Sequence, residues 1–235
     1  MKVRVKFKKN GAVRYIGHLD FMRYFQKAMR RAQIPISFSG GYSPHMIMSF
    51  ANPLGVGVTT DGDYFDIEIK HPISSEAAVS QLNQVMVEGV EVLSFLEIAE
   101  SKKMAGMAIV AGADYLCTIK KGKLPEDWKY QLMPFFSQKE ICIVKKTKRS
   151  EKEVDIRPMI YNISAEDDGI FMQLAAGSAA NLKPGLVMEA FCEYLGVEKD
   201  TIAFHTHRLE NYADMGENDT RNLVTLESLG TVITV

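Results

Sequence analysis

The order of strand-like and helix-like patterns along the chain limits its fold more than any other feature of the sequence. Strands alternate apolar and polar side chains with a period of two, and helices repeat apolar residues three or four positions apart. In the first hundred residues these patterns predict strand, helix, strand, strand, helix and strand, over residues 3–7, 19–33, 46–50, 64–69, 75–88 and 90–98. This is the order of a ferredoxin-like unit, in which an antiparallel sheet carries both helices on one face.

A second series of the same kind follows. Strands are predicted over residues 113–119, 141–148, 154–163, 170–175 and 202–209, and helices over residues 125–136 and 184–195. The series has one strand more than the first, and no sequence repeat relates the two halves, so the duplication rests on element order alone. We predict an α+β fold of two tandem ferredoxin-like units, residues 1–100 and 108–212. An acidic tail with a possible terminal strand, residues 213–235, completes the chain.

Positive charge is concentrated near the N-terminus. The first sixty residues contain ten Lys or Arg and one carboxylate, Asp20, while the remaining 175 contain eighteen basic and twenty-eight acidic residues. The net charge of −1 therefore conceals an excess of +9 in one region and −10 in the other. Such an asymmetry suits a polyanionic partner such as nucleic acid. Solvated Lys and Arg side chains on an exposed helix and strand would give the same count, and composition alone does not choose.

The predicted helix over residues 19–33 is amphipathic and cationic. Apolar residues share one side of the helical wheel, and the opposite side carries Arg23, Lys27, Arg30 and Arg31. Asp20 lies in the first turn, where a carboxylate favours the positive end of the helix dipole. We interpret the four cations as contacts for RNA phosphates.

A glycine-rich segment follows this helix and contains Gly40, Gly41, Tyr42, Ser43 and His45. Paired glycines permit a tight turn with free amides, and the Tyr, Ser and His side chains add donors and a stacking ring. A plain turn between helix and strand uses the same residue types. The segment matches neither the phosphate-binding loop of nucleotide hydrolases nor the dinucleotide fingerprint, which argues against ATP and NAD.

Two further pairs are candidates for anion or RNA binding. Arg14 and Tyr15 precede the cationic helix, and His18 beside them is a further candidate. Asp155 and Arg157 stand two residues apart on a predicted strand, so their side chains share a face and could hold each other or a ligand. An ordinary surface charge pair is the alternative. A second basic run, at a predicted hairpin tip, comprises Lys145, Lys146, Lys148 and Arg149.

The sequence predicts no metal, no cofactor and no membrane segment. The three cysteines, Cys117, Cys142 and Cys192, are far apart, which favours buried reduced thiols over disulfides or a metal site. His205 and His207 alternate on one strand face without a third ligand at suitable spacing. The N-terminus lacks the apolar region of a signal peptide, and no apolar run is long enough to span a bilayer, so we expect a cytoplasmic protein.

Several motifs together resemble a known family. They read RYIGHLD, AMRRA, SGGYSPH, PLGVG and VDIRP, at residues 14–20, 28–32, 39–45, 53–57 and 154–158. The sequence resembles the bacterial radical-SAM-linked protein family, a domain of unknown function found alone or at the end of vitamin-B12-binding radical SAM proteins. The resemblance covers residues 1 to about 210 and fades in the acidic tail.

This resemblance indicates which protein the chain acts with, but it does not indicate a specific reaction. The partner would be a B12-binding radical SAM protein, and the context RNA modification or processing. A radical SAM site needs three closely spaced Cys thiolates to hold its four-iron cluster, and the cysteines of this chain are widely separated. The sequence therefore favours an accessory protein over an enzyme.

Three functions follow from these observations. The first is an accessory that binds RNA. The second is an RNA-processing or RNA-modifying enzyme in its own right, with His18 and His45 as acid and base, or Asp20 as the nucleophile. The third is a protein-docking subunit without nucleic-acid contact, whose basic surface binds an acidic patch of the radical SAM partner. The sequence does not choose between them.

The RNA-binding hypothesis makes one geometric demand. The cations of the helix and the glycine-rich segment must converge on a single anion-receptive cleft, with Arg23, Arg30, Tyr42 and His45 on its walls.

Overall fold

A computed structural model of the chain describes residues 1–146, 151–198, 201–217 and 220–235. The fold is α+β. Its helices are α1 (His18–Arg31), α2 (Ser75–Asn83), α3 (Gly106–Ile109), α4 (Trp128–Phe136) and α5 (Pro184–Tyr194). Its strands are β1 (Lys2–Lys9), β2 (Met48–Phe50), β3 (Thr59–Glu68), β4 (Val90–Ile98), β5 (Val110–Lys121), β6 (Cys142–Lys146), β7 (Glu151–Asp155), β8 (Ile160–Ala165), β9 (Gly169–Ala175), β10 (Ala203–Asp214), β11 (Leu223–Thr225) and β12 (Thr231–Val232).

Ten of these strands form one mixed sheet. Its order is β12-β4-β1-β3-β10-β5-β9-β8, with β2 added to β3 and β11 added to β10. Within the first half the order is β4-β1-β3-β2 and within the second half β10-β5-β9-β8, with antiparallel neighbours throughout. The two halves join where β3 and β10 run parallel, with Thr59 beside His207 and Thr60 beside Arg208.

This junction corrects the expectation of separate antiparallel sheets, one for each half. Thr59 and His207 are 148 residues apart in the chain, and local patterns carry no information about a pairing at that separation. The continuous sheet brings the start of β3 and the middle of β10 together, and the candidate site described below is built around that contact.

Helix α1 packs on the sheet of the first half as its sequence pattern predicts. Its apolar side is buried, and the ring of Phe7 on β1 lies 5.7 Å from the Phe21 ring and 5.0 Å from the Phe25 ring. Aromatic side chains at this spacing bury a large area in a fixed geometry. The helix ends before Gln33, which has a positive φ of 56°, and Pro35 follows. The cationic side of α1 consequently faces away from the sheet.

The predicted strand over residues 154–163 is interrupted. Residues Arg157–Met159 form a 3₁₀ turn instead, and Pro158 in that turn has no backbone N–H to donate to a ladder. The preceding hairpin, β6 and β7, pairs only with itself among the described strands. Lys148 and Arg149 of the predicted basic run lie outside the described residues.

The basic side of β1 is not the solvent-exposed face that its alternation predicts. Arg4 is only 1% exposed, because the segment between the halves and the C-terminal tail cross this face of the sheet. Its guanidinium donates to the carbonyl of Met104 in the first of these segments (2.8 Å) and to that of Leu226 in the second (3.3 Å). Leu226 is fully buried, so the tail is an integral part of the fold.

Two expectations about composition can be compared with the structure. Cys117 and Cys192 are buried free thiols, but Cys142 on β6 is exposed, which corrects the expectation of three buried ones. In the part of the chain that the structure describes, no helix has the length and apolar character required to cross a membrane.

Candidate functional site

The outer side of α1 presents a row of exposed cations, as predicted. Arg23, Lys27, Arg30 and Arg31 are all exposed. Arg23 forms an ion pair with Asp20 at 3.0 Å, and Arg31 donates to the carbonyl of Val85 at 2.9 Å. Within the described ranges, Lys27 and Arg30 make no ion pair. The helix therefore carries positive charge along its length that is not neutralised internally.

The glycine-rich segment forms a closed turn. The amide of Ser39 donates to the carbonyl of His45 (2.8 Å), the amide of His45 donates to Ser39 Oγ (3.1 Å), and Ser39 Oγ and His45 Nδ1 are 2.8 Å apart. The tip is exposed and consists of Gly40, Gly41, Tyr42 and Ser43. Gly41 has φ of +94°, a conformation that favours glycine. His45 thus closes the turn, and the Tyr42 ring projects fully into solvent.

The predicted site residues do not converge on one cleft. The glycine-rich turn lies where α1 ends, because Ile36 bridges to Ile69 and the amide of Ser37 donates to the carbonyl of Glu68 at the end of β3. Arg14, Tyr15 and His18 lie where α1 begins. A helix of fourteen residues separates these two positions by roughly 20 Å at 1.5 Å per residue. The candidate residues are therefore divided between the two ends of α1, with Arg30 and Arg31 at the end beside the glycine-rich turn.

The same separation corrects the proposed acid–base pair. His18 and His45 stand at opposite ends of α1 and cannot act on the same bond. Asp20 is exposed and held by Arg23, so it lacks the buried surroundings that raise the reactivity of a carboxylate nucleophile.

Asp155 and Arg157 are occupied by backbone groups. Asp155 Oδ1 accepts hydrogen bonds from the amides of Ile141 and Arg157, both at 2.9 Å. The Arg157 guanidinium donates to the carbonyl of Phe136 (2.6 Å) and lies 3.9 Å from the centroid of that ring. The two side chains fix the turn that ends the β6–β7 hairpin. Both side chains thus have structural partners, and their binding of a ligand stays a prediction.

Arg14 and Tyr15 lie at the boundary between the two halves. Arg14 Nη2 donates to the Tyr15 hydroxyl at 2.9 Å, and the guanidinium stands 4.9 Å from the centroid of the exposed Tyr15 ring. The hydrogen bond from Arg14 lowers the pKa of Tyr15, and the charges of Arg14 and of Lys120 on β5 act in the same direction. The amide of Gly57 donates to the Arg14 carbonyl at 2.9 Å. Two of the motif segments, residues 14–20 and 53–57, are therefore neighbours.

The two histidines of β10 bind a residue of β3. Thr59 Oγ1 is 3.0 Å from His205 Nε2 and 2.7 Å from His207 Nδ1, and His207 Nε2 is 3.1 Å from Asp61 Oδ2. Burial lowers the pKa of His205, and nearby positive charges, first that of Arg14, lower it further. The described residues contain no group of three side chains suited to a metal ion. These hydrogen bonds fasten β3 to β10.

A buried charge cluster lies on the helix side of the same junction, and the sequence interpretation missed it. Arg208 Nη2 forms an ion pair with Asp63 Oδ1 at 2.8 Å and donates to the carbonyl of Asn52 at 2.7 Å. Lys9 Nζ donates to the carbonyl of Ile16 at 2.9 Å. Lys9, Asp63 and Arg208 are each at most 2% exposed. Two cations and one carboxylate leave an excess of positive charge inside the protein.

Burial controls the ionisation of this cluster. It lowers the pKa of Lys9, with Arg208 adding to the effect and Asp63 opposing it. It also raises the pKa of Asp63, against the opposing influence of Arg208. One signal in the sequence could have located Lys9, since it continues the odd-numbered series Val3, Val5 and Phe7 that faces the core.

A cleft of about 290 Å³ lies beside this cluster. We name it the junction cleft, because its walls come from residues 52–58 of the first half and from β5, β10 and the start of α5 in the second. Its principal lining residues are Asn52, Leu54, Tyr115, Lys183, Gly185 and Arg208. None of its described lining residues is a carboxylate. The cleft therefore combines apolar walls with two cationic side chains, one buried and one exposed.

His18 reaches the same region from the other side. It lines a small cavity together with Lys9, Asp63 and Leu54, and its ring packs edge-on against Phe50 at 5.1 Å. Leu54 also lines the junction cleft. The structure thus brings the motif segments 14–20 and 53–57 together around the buried charges, whereas it places the glycine-rich turn elsewhere.

Comparison with protein-family models gives a match over most of the chain. The matching description is "Uncharacterized protein conserved in bacteria (DUF2344)", and it covers residues 2–184. The chain belongs to the DUF2344 family. The match ends at the first residue of α5, so β10 and the tail of this DUF2344 protein lie beyond it.

Two other comparisons add little to the family assignment. No curated protein matches significantly. Among solved structures, a chain of a Cbf5-Nop10-Gar1 complex is similar with a TM-score of 0.43 and 11% identity, covering 89% of this chain and 48% of that one. The DUF2344 chain spans about half the length of that neighbour, and a similarity this weak carries no argument about function.

Proposed function

We propose that this protein is a cytoplasmic RNA-binding accessory, built from two ferredoxin-like units over residues 1–100 and 108–212. The observation that carries the proposal is the row of exposed cations on α1, in which Lys27 and Arg30 make no ion pair within the described residues and Arg23 alone is paired with a carboxylate. Cations that are not neutralised internally are available to replace the counterions of a phosphate backbone.

The ends of α1 support the same proposal. At its beginning, the exposed Tyr15 ring lies beside Arg14, and at its end Tyr42 projects into solvent. Aromatic rings next to a cationic track are the usual means of stacking the bases of a single strand without reading their sequence. A single-stranded RNA that follows α1 would meet phosphate contacts along the helix and stacking platforms at either end.

The test is the salt dependence of binding to a single-stranded RNA. Replacing Arg23, Lys27, Arg30 and Arg31 by Gln should weaken binding at low salt and reduce the slope of log affinity against log salt by roughly 0.7 for each lost phosphate contact. The matched control removes the same charge from exposed lysines elsewhere, at Lys102, Lys103, Lys123 and Lys139. Equal losses in the two variants would contradict a specific role for α1, and an affinity that ignores salt would remove the proposal.

A second candidate function is docking onto a protein, for which the resemblance suggests a B12-binding radical SAM partner. It is favoured by a group of exposed apolar side chains at the start of α1, where Tyr15, Leu19 and Val56 are 57%, 62% and 65% exposed. The hydrogen bond between the Gly57 amide and the Arg14 carbonyl holds the two segments together. Exposed apolar groups rimmed by charge are typical of interaction surfaces.

Co-purification with the partner in the presence of nuclease separates the two candidates. If docking is direct, the complex survives nuclease, and replacing Leu19 and Val56 by Ser weakens it. A further loss in the α1 Gln variant would place the basic surface in the same interface. If RNA bridges the two proteins, nuclease dissolves the complex. We do not propose RNA cleavage, because His18 and His45 lie at opposite ends of α1.

A further inference from the structure

We propose that the junction cleft binds the phosphate group of a nucleotide, with Arg208, Lys183 and the start of α5 as its ligands. This site is distinct from the cationic row of α1, and the inference does not depend on RNA binding by that row.

The first argument is the unusual state of Arg208. Only its Nη2 is engaged, by Asp63 at 2.8 Å and by the Asn52 carbonyl at 2.7 Å. Its Nε is buried without a hydrogen-bond partner among the described residues. A guanidinium that is 2% exposed and leaves one buried donor unused is costly, because buried polar groups are almost always paired. Arg208 lines the cleft, so a bound anion with a small shift of the side chain would supply the missing acceptors.

The second argument is the way α5 meets the cleft. The helix has eleven residues and begins at Pro184, and its first turn carries the partial positive charge that attracts phosphates. Pro184 has no N–H and the Leu186 amide donates to the Lys183 carbonyl at 3.0 Å, so Gly185 supplies the free amide of this turn. The Gly185 amide makes no hydrogen bond within the described residues, and Gly185 lines the cleft. A Cβ at Gly185 would meet no atom within 4 Å, so the backbone there is open to a ligand. The exposed Lys183 adds a second charge at the rim.

The apolar lining of the cleft indicates what kind of molecule carries the phosphate group. Leu54, Leu182 and Tyr115 supply apolar surface beside the cationic end, which suits a sugar or base attached to the phosphate. A volume of about 290 Å³ lies at the lower end of the range for small-molecule sites. The ligand is therefore the size of one nucleotide, supplied either free or as the 5′-terminal nucleotide of an RNA.

The experiment is calorimetric titration of the intact protein with AMP and with adenosine at constant ionic strength. We expect AMP to bind and adenosine, which lacks the phosphate, to bind at least about tenfold more weakly. Gly185→Val, which adds a side chain at the wall of the cleft without a strained backbone, should weaken AMP binding by at least about tenfold. Lys183→Ala should weaken it by about threefold, since that charge is exposed. Lys123→Ala is the matched control and should change nothing.

Two RNA oligonucleotides of one sequence, with and without a 5′-phosphate, distinguish the two sources. Preference for the 5′-phosphorylated strand, lost in Gly185→Val, assigns the site to an RNA end, and binding of AMP alone assigns it to a free nucleotide. Equal binding of AMP and adenosine, or unchanged AMP binding in a Gly185→Val protein that melts like the wild type, overturns the proposal. So does failure of both AMP and the 5′-phosphorylated strand. The α1 Gln variant should still bind AMP, so failure of the proposed RNA binding is recognised separately.

Discussion

Strand β1 and helix α1 are both rich in Lys and Arg, but the structure uses their charges in opposite ways. On β1, most cations have internal partners: Arg4 with Asp66 at 2.8 Å, Lys6 with Glu210 and Glu227 at 2.8 Å each, and Lys8 with Glu91 at 3.4 Å. On α1, Arg23 alone has a carboxylate partner within the described residues, and it is the adjacent Asp20.

The difference shows that a count of charges along a sequence does not measure the charge available to a partner. The +9 of the first sixty residues and the −10 of the rest partly neutralise each other inside the molecule, because Glu210 on β10 and Glu227 in the tail fold onto β1. The positive charge that is still available to a polyanion lies mainly on the outer side of α1. Part of the charge asymmetry seen in the composition therefore forms ion pairs that join the two halves and the tail.

Removing a β1 charge should have the largest effect, and that effect should be on stability. Arg4 donates twice to the Asp66 carboxylate and is 1% exposed. Arg4→Ala leaves a largely buried carboxylate unpaired and should lower the free energy of unfolding by about 3–5 kcal/mol, measured by urea denaturation. Lys8→Ala is the control on the same strand, and its exposed ion pair should be worth less than about 1 kcal/mol. Equal losses would show that burial does not distinguish the two cations.

The local elements of this fold could be predicted from sequence, because their patterns are local. The strand over Val90–Ile98 was predicted with the observed bounds, and the predicted cationic helix over residues 19–33 differs from α1 by one residue at its start and two at its end. The contact of β3 with β10 and the burial of Arg4 under the tail could not be predicted, since both depend on segments far apart in the chain.

The candidate site followed the same division. The exposed cations of α1 were predicted correctly as one side of an amphipathic helix. The buried Arg208 was missed, because an arginine on a strand is ordinarily exposed and its partners, Asp63 and Asn52, come from the other half. The position of the glycine-rich turn, about one helix length from Arg14 and His18, could not be predicted, since its composition indicates a turn but not its distance from other segments.

Single charge removals on α1 should reduce RNA affinity and leave stability almost unchanged. Lys27→Gln and Arg30→Gln should each weaken binding by about two- to fivefold at low salt and lower the salt slope by roughly 0.7. Lys8→Gln on β1 should have no effect on either quantity, because Lys8 is already paired with Glu91. Filter binding at several salt concentrations measures both. A loss in Lys8→Gln as large as in the α1 variants would remove the contrast between the two elements.

The pairing of Lys6 with the tail should give a pH-dependent contribution to stability. Burial alone would raise the pKa of Glu227, but the hydrogen bond and charge of Lys6, with a hydrogen bond from Ser94, outweigh it and lower that pKa below 4.5. A depressed pKa in the folded state stabilises the protein above pH 4.5, and the stabilisation is lost as the pH falls through the folded-state value. Glu227 is 36% exposed, so Glu227→Gln should cost less than about 1 kcal/mol at pH 7.

The measurement for Glu227 is the difference in unfolding free energy between the wild type and Glu227→Gln from pH 7 to pH 3. The difference should shrink toward zero at the acidic end. A difference that stays constant with pH would mean that the Glu227 side chain contributes through packing rather than through its charge, and the tail would then be held to β1 by other contacts.

The smallest effect should come from releasing the one α1 cation that is paired. Asp20→Asn removes the carboxylate that holds Arg23 at 3.0 Å and should raise RNA affinity by less than about threefold. The same change should lower stability by about 0.3–0.5 kcal/mol, because an exposed i,i+3 pair near a helix N-terminus is lost. If the gain in affinity comes from the freed Arg23, it disappears in the double variant Asp20→Asn with Arg23→Gln. If the gain persists there, Asp20 acts by repelling phosphates directly, and Arg23 is not part of the RNA-binding row.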